Sequence, residues 1–162
     1  MKKLFILLLL QITTLLVVAQ EDSLTKTKFV IGLSAPELLH AGVNIDFTKY
    51  NQVGVSAGIG PSWGSVWPTL NIEHRFYFGK IMEATNRRRW FFKQGFTYFA
   101  ADDDQSALTF TLGADLKSKA ANRGWTIDLG AFILYQSENG RENQVYPALR
   151  FQYYSYFKKN KK

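Results

Sequence analysis

Apolar and polar residues alternate along this chain in eight separate stretches, which follow one largely apolar run near its start. A period of two sends successive side chains to opposite faces of an extended strand. The pattern therefore predicts strands over 28–34, 42–48, 53–61, 69–79, 89–100, 107–117, 124–136 and 145–157. Turn-rich links separate them, and the only helical-period stretch is the short segment 36–40. Eight evenly spaced strands with short links predict an all-β fold, an antiparallel up-and-down eight-stranded barrel.

Folding neighbouring strands onto each other tests the pattern. A turn about Tyr50 pairs Phe47 with Val53, Ile45 with Val55 and Val43 with Ala57. Between the sixth and seventh strands, Leu116 meets Trp125, Ala114 meets Ile127 and Leu112 meets Leu129. Between the fourth and fifth, Phe78 meets Trp90, Phe76 meets Phe92 and His74 meets Gln94. Apolar meets apolar throughout, as one uniformly apolar face demands, except at His74 and Gln94. These two polar residues form a candidate contact patch on an otherwise apolar face, or a cross-strand hydrogen bond that satisfies both, or mark a local bulge that turns one inward.

The opposite face is polar. It carries Asp46, Glu73, Arg75, Lys93, Asp115, Asp128 and Arg150 among Gly, Ser, Thr and Asn residues. Alternation alone leaves open which face points outward: a soluble, lipocalin-like ligand-binding barrel buries its apolar face, and a membrane barrel turns it to lipid. Three features favour lipid. Small residues such as Gly54, Ser56, Gly58 and Gly113 suit the crowded interior of an eight-stranded barrel. The tryptophans fall at predicted strand ends, Trp63 and Trp67 at one rim and Trp90 and Trp125 at the other, as two interfacial girdles. Closure leaves no unpaired backbone in hydrocarbon.

The apolar run fits the same address. Lys2 and Lys3 precede the almost wholly apolar stretch 4–18, interrupted at Gln11, Thr13 and Thr14, and Val17-Val18-Ala19 offers a small-residue cleavage site. The expected organisation is a signal peptide at 1–19, a barrel at 20–157 and a basic tail at 158–162. Cysteine is absent, so neither a disulfide framework nor a lipoprotein anchor is expected. Aromatic residues make up 15% and charged residues only 20% of the 162 positions.

Two segments carry a resemblance. The stretch from Pro147 to Phe157, with Phe151, Tyr153, Tyr154, Tyr156 and Phe157, resembles the aromatic last strand by which outer-membrane barrels are recognised for assembly. Here the basic residues 158–162 extend beyond the aromatic residue at which such endings usually stop. The stretch from Leu70 to Phe78, with a basic turn after it, resembles a strand of small outer-membrane proteins of the OmpA-transmembrane/OmpX-like β-barrel family. The resemblance implies an outer-membrane location, outer-membrane lipids as surroundings and the barrel-assembly machinery as a partner during biogenesis.

Charge adds a rim. Basic residues exceed acidic ones by 20 to 13, and the excess gathers at Lys80 and 87–89, at Lys117, Lys119 and Arg123, and in the tail. The even strand count puts these on the periplasmic side, where they suit lipid phosphates or an acidic periplasmic partner. Nucleic acid is not an expected partner of an exported barrel, despite a pI of 9.6.

No catalysis is expected. Outer-membrane lipid hydrolases of the PagL and phospholipase A kind place a nucleophilic Ser two residues after a His. Phe76 follows His74 and Gly42 follows His40 at that spacing. Two histidines without cysteine or an acidic spacing motif predict no metal or other cofactor. The charged residues of the polar face are expected to form an ion-paired filling, giving a structural or interaction protein. The alternative is a narrow channel for ions or very small solutes, and the lipocalin-like binder is a second one.

Overall fold

A computed structural model describes residues 26–62, 65–82, 87–100, 105–116, 122–136 and 143–157. The expected leader at 1–19, Trp63, the acidic run 102–104 and the tail 158–162 lie outside them. The described residues form eight strands: β1 (Lys26–Ser34), β2 (Leu39–Asp46), β3 (Asn51–Ser62), β4 (Ser65–Met82), β5 (Arg87–Phe99), β6 (Gln105–Leu116), β7 (Arg123–Gln136) and β8 (Gln144–Tyr156). Each pairs antiparallel with its sequence neighbour, and β8 pairs back onto β1 to close the barrel.

The β4–β5 and β6–β7 registers match the sequence expectation residue for residue, including His74 opposite Gln94 and Leu116 opposite Trp125. The β2–β3 register differs by two residues, with Ile45 opposite Val53 and Val43 opposite Val55. Thr48 is the physical reason. Its hydroxyl accepts the backbone N–H groups of Tyr50 and Asn51, each at 3.0 Å, which tightens the link around 47–50. A shift of two leaves every side chain on its expected face. The link expected at 35–41 is shorter than the pattern suggested: residues 35–38 form a bend, and Leu39 and His40 already belong to β2.

The faces are inverted relative to a water-soluble barrel. Leu129, Leu112, Leu70 and Ile72 point outward and are more than half exposed. Arg75, Lys93, Glu73, Asp128 and Arg150 point inward and are buried. The outer face is aromatic near the end where β1 begins and β8 finishes (the terminal end), where the Trp125 ring lies 4.7 Å from Phe151 and 5.0 Å from Tyr153.

Candidate functional site: the polar interior and its two rims

The inward side chains of β2, β3, β4 and β8 converge on Glu73 and Arg150. Arg150 is salt-bridged to Glu73 through one guanidinium nitrogen and to Glu37 at 3.2 Å through the other. Arg75 holds the second Glu73 oxygen at 2.7 Å and donates to Gln152 Oε1 at 2.6 Å. Gln152 in turn donates to His40 Nε2 at 2.9 Å. With that nitrogen accepting, His40 Nδ1–H points at the Ser34 hydroxyl 3.1 Å away, and Ser34 donates to Glu37 at 2.7 Å. The chain of bonds thus closes on itself, from Arg75 through Gln152, His40, Ser34, Glu37, Arg150 and Glu73 back to Arg75. Two cations and two anions balance within it, which is what makes ionised groups tolerable when buried.

Other expected interior residues surround this ring. Asn44 donates to Glu73 at 3.2 Å and to Gln52 at 2.9 Å, and Gln52 donates to Asp46. Tyr156 also donates to Asp46, at 3.2 Å. Lys93 and Asp128 form a separate ion pair at 2.9 Å. Asp115 is buried on the same inner face, opposite Thr126 and nearer the terminal end. There the filling turns aromatic: Arg75 lies over the Phe91 ring at 4.9 Å, and Lys28 lies over Tyr154 at 4.3 Å.

Sequence reasoning missed Glu37 and His40, which it assigned to a link. His40 shares the parity of Asn44 and Asp46, so extending the alternation two residues backward would have found it. Glu37 carries no such signal. It lies in the β1–β2 bend, outside every strand, and folds over the far end of the interior. Backbone bonds from Ala35 N to Leu149 O (2.9 Å) and from Leu38 N to Ile59 O (2.8 Å) tie that bend to β8 and β3. Burial works to raise the Glu37 carboxyl, but Arg150 and the Ser34 hydroxyl outweigh it and hold its pKa below the ordinary value of 4.5.

His74 and Gln94 occupy the outward face as expected, half-buried and 3.4 Å apart. Gln94 donates to His74 Nδ1, His74 Nε2–H donates to Asn51 Oδ1 at 3.1 Å, and Asn51 donates to Thr48 Oγ1 at 3.3 Å. The run of donors ends at the β2–β3 link, and it satisfies both ring nitrogens of a neutral imidazole.

Of the girdle residues, Trp90 and Trp125 point outward at the terminal end, each more than two-fifths exposed. Trp67 lies at the far rim opposite Gly60, on the inward parity of β4, and is half-buried. It belongs to the barrel mouth rather than to an outward ring, because the β3–β4 register runs unbroken to Ser62 and Ser65. Among the described residues, no group of three or more His, Asp or Glu side chains is placed to hold a metal ion. Comparison with protein-family models, curated proteins and solved structures gives no match to this chain.

Proposed function

We propose that the chain is an outer-membrane barrel with a side-chain-filled interior, acting as a structural or interaction protein rather than a catalyst. One observation carries the reading: the closed barrel turns its apolar face outward and its ion-paired face inward. In water that arrangement would expose a continuous apolar belt, far more than a soluble monomer shows. In a bilayer the same belt is solvated by lipid, and closure satisfies every strand backbone. A lipocalin-like binder needs the opposite arrangement, with an apolar interior for its ligand.

The filled interior supports a non-conducting role over the channel reading, because the Arg150, Glu73 and Glu37 bonds cross the space a solute would use. The alternating pattern, the leader and the aromatic last strand support the outer membrane as the address. Gel migration tests the whole reading. Extracted from outer membranes with detergent, the folded barrel should run faster unheated than boiled. A chain recovered in the soluble fraction, with no heat-dependent shift, would remove the proposal.

A further inference from the structure

The rim at the terminal end holds a cluster that the interior does not use. Arg88 of β5 shares the outward parity of Trp90, Phe92 and Phe96, so it stands directly above their apolar surface. It does not extend freely. One terminal guanidinium nitrogen donates to Gly79 O at 2.5 Å, the other donates to the Tyr50 hydroxyl at 3.3 Å, and the guanidinium lies 4.8 Å over the Tyr50 ring. Lys49 approaches the same ring, its ammonium 5.3 Å from the centroid. Arg88 therefore reaches across β4 to the β2–β3 link, and two cations lie against the Tyr50 ring.

The backbone is shaped to allow this. The β4–β5 register slips between Phe78 and Ile81, a bulge that leaves an extra residue on β4 and twists the strand. Gly79 sits in the bulge with φ +84°, and a Cβ there would meet the Trp90 indole at 3.0 Å. Only glycine allows both the left-handed conformation and the packed indole. Tyr50 is fixed from the other side, because its carbonyl accepts Tyr77 N–H at 2.6 Å. Lys80 in the bulge and Arg89, which lies 5.8 Å over the Trp90 ring, are exposed beside it.

We infer that Lys49, Tyr50, Arg88 and the Gly79 bulge form a binding site for the phosphate of an anionic phospholipid in the leaflet at the terminal rim. Each terminal nitrogen of a guanidinium has two hydrogens, and the bonds to Gly79 and Tyr50 use one on each, so the charge is held in place with donor capacity left for phosphate oxygens. The surface beneath supplies the rest of the ligand's chemistry. Phe76, Phe78, Trp90 and Phe92 are each between about two-fifths and one-half exposed, and they continue from the cations down the outer face. A free phosphate would use only the cations, whereas a phospholipid lays its acyl chains on the aromatic surface as well. That continuity selects the lipid. The site rests on the membrane reading proposed above and adds the lipid class and the residues that select it.

Lipid retention tests it. The full-length protein is inserted into phosphatidylcholine vesicles containing equal fractions of phosphatidylglycerol and phosphatidylethanolamine, extracted in mild detergent, and weighed intact with its bound lipid. The wild type should retain phosphatidylglycerol in preference to phosphatidylethanolamine. Arg88→Gln and Lys49→Gln should each reduce that preference roughly five-fold, the effect of one cation near an anionic surface, while Arg123→Gln on β7 leaves it unchanged. Lys49 takes no part in the bulge, so its variant reads the site even where Arg88→Gln disturbs the hairpin. Equal loss from all three variants would mean that only net charge matters and would overturn the site, as would no loss from either of the first two. Displacement of the lipid by millimolar glycerol phosphate would overturn the assignment to a lipid. A chain that never enters the vesicles removes the membrane reading together with the site; an inserted barrel with unchanged lipid preference removes the site alone.

Discussion

Arg150 in the middle of β8 is salt-bridged at 3.2 Å to Glu37, a residue of the β1–β2 bend that belongs to no strand. Through this contact the far end of the barrel is fastened to its centre, because Arg150 also pairs with Glu73 on β4. Three parts of the chain, far apart in sequence, depend on one guanidinium.

Replacing that guanidinium should therefore cost more than removing either carboxylate. Arg150→Ala leaves Glu37 and Glu73 as buried anions short of a partner, a loss of about 3–5 kcal/mol. Glu37→Gln keeps an oxygen that accepts from Arg150 and Ser34 and should cost only about 1 kcal/mol. Urea unfolding of the protein in vesicles, followed by tryptophan fluorescence, measures both. Equal effects would show that Arg150 acts on Glu37 alone.

The same contact carries a pH dependence whose sign is fixed by the lowered Glu37 pKa. A carboxyl more acidic in the folded state stabilises the fold fully above the unfolded value, here 4.5, and loses that contribution as the pH falls through the folded value. The stability difference between the wild type and Glu37→Gln should be constant from neutral pH down to about pH 5 and shrink in more acid solution. Thermal unfolding of the two proteins from pH 7 to pH 3 gives the comparison. A gap that widens in acid would assign the effect to another group.

Much of this architecture was legible because a period-two pattern carries face and register together. His74 opposite Gln94 and Leu116 opposite Trp125 followed from matching apolar residues across hairpins. The β2–β3 register did not, because Thr48 closes its link through side-chain oxygen bonds that apolar matching does not register. The interior ions Glu73, Arg75 and Arg150 were found by parity, but how they pair depends on side-chain reach across the barrel. Glu37 escaped altogether: a bend residue has no parity, and only the tertiary path of residues 35–38 brings it over Arg150. Arg88 stood in a basic run that suggested lipid phosphates, yet its hold on Gly79 and Tyr50 needed the β4 bulge.

The outward pair predicts a non-additive response. His74→Leu alone takes away the imidazole that bonds both Asn51 and Gln94. A buried or lipid-facing group stripped of its bond costs about 1–3 kcal/mol. His74→Leu with Gln94→Leu removes both partners of the 3.4 Å bond and should recover part of that loss. A double-mutant cycle on unfolding free energy measures the coupling. If the double variant also assembles normally, with unchanged lipid content and unchanged recovery of associated proteins, the pair is a structural bond and not a contact patch.

Conductance follows from the closed ring of interior bonds. A continuous water path would have to open the bonds around Arg150 and Arg75 together, since both are held to Glu73. The wild-type barrel in a planar bilayer should show no discrete openings. Glu37→Ala removes the residue that closes the far end but leaves Glu73 paired with both arginines, so it too should stay closed. Glu73→Ala removes the anion that holds the arginines together and puts their like charges in opposition. Of these variants it is the one expected to produce openings, with a preference for anions set by the exposed guanidinium groups. Openings in the wild type that vanish when Arg75 or Arg150 is changed would instead establish the narrow channel as its function.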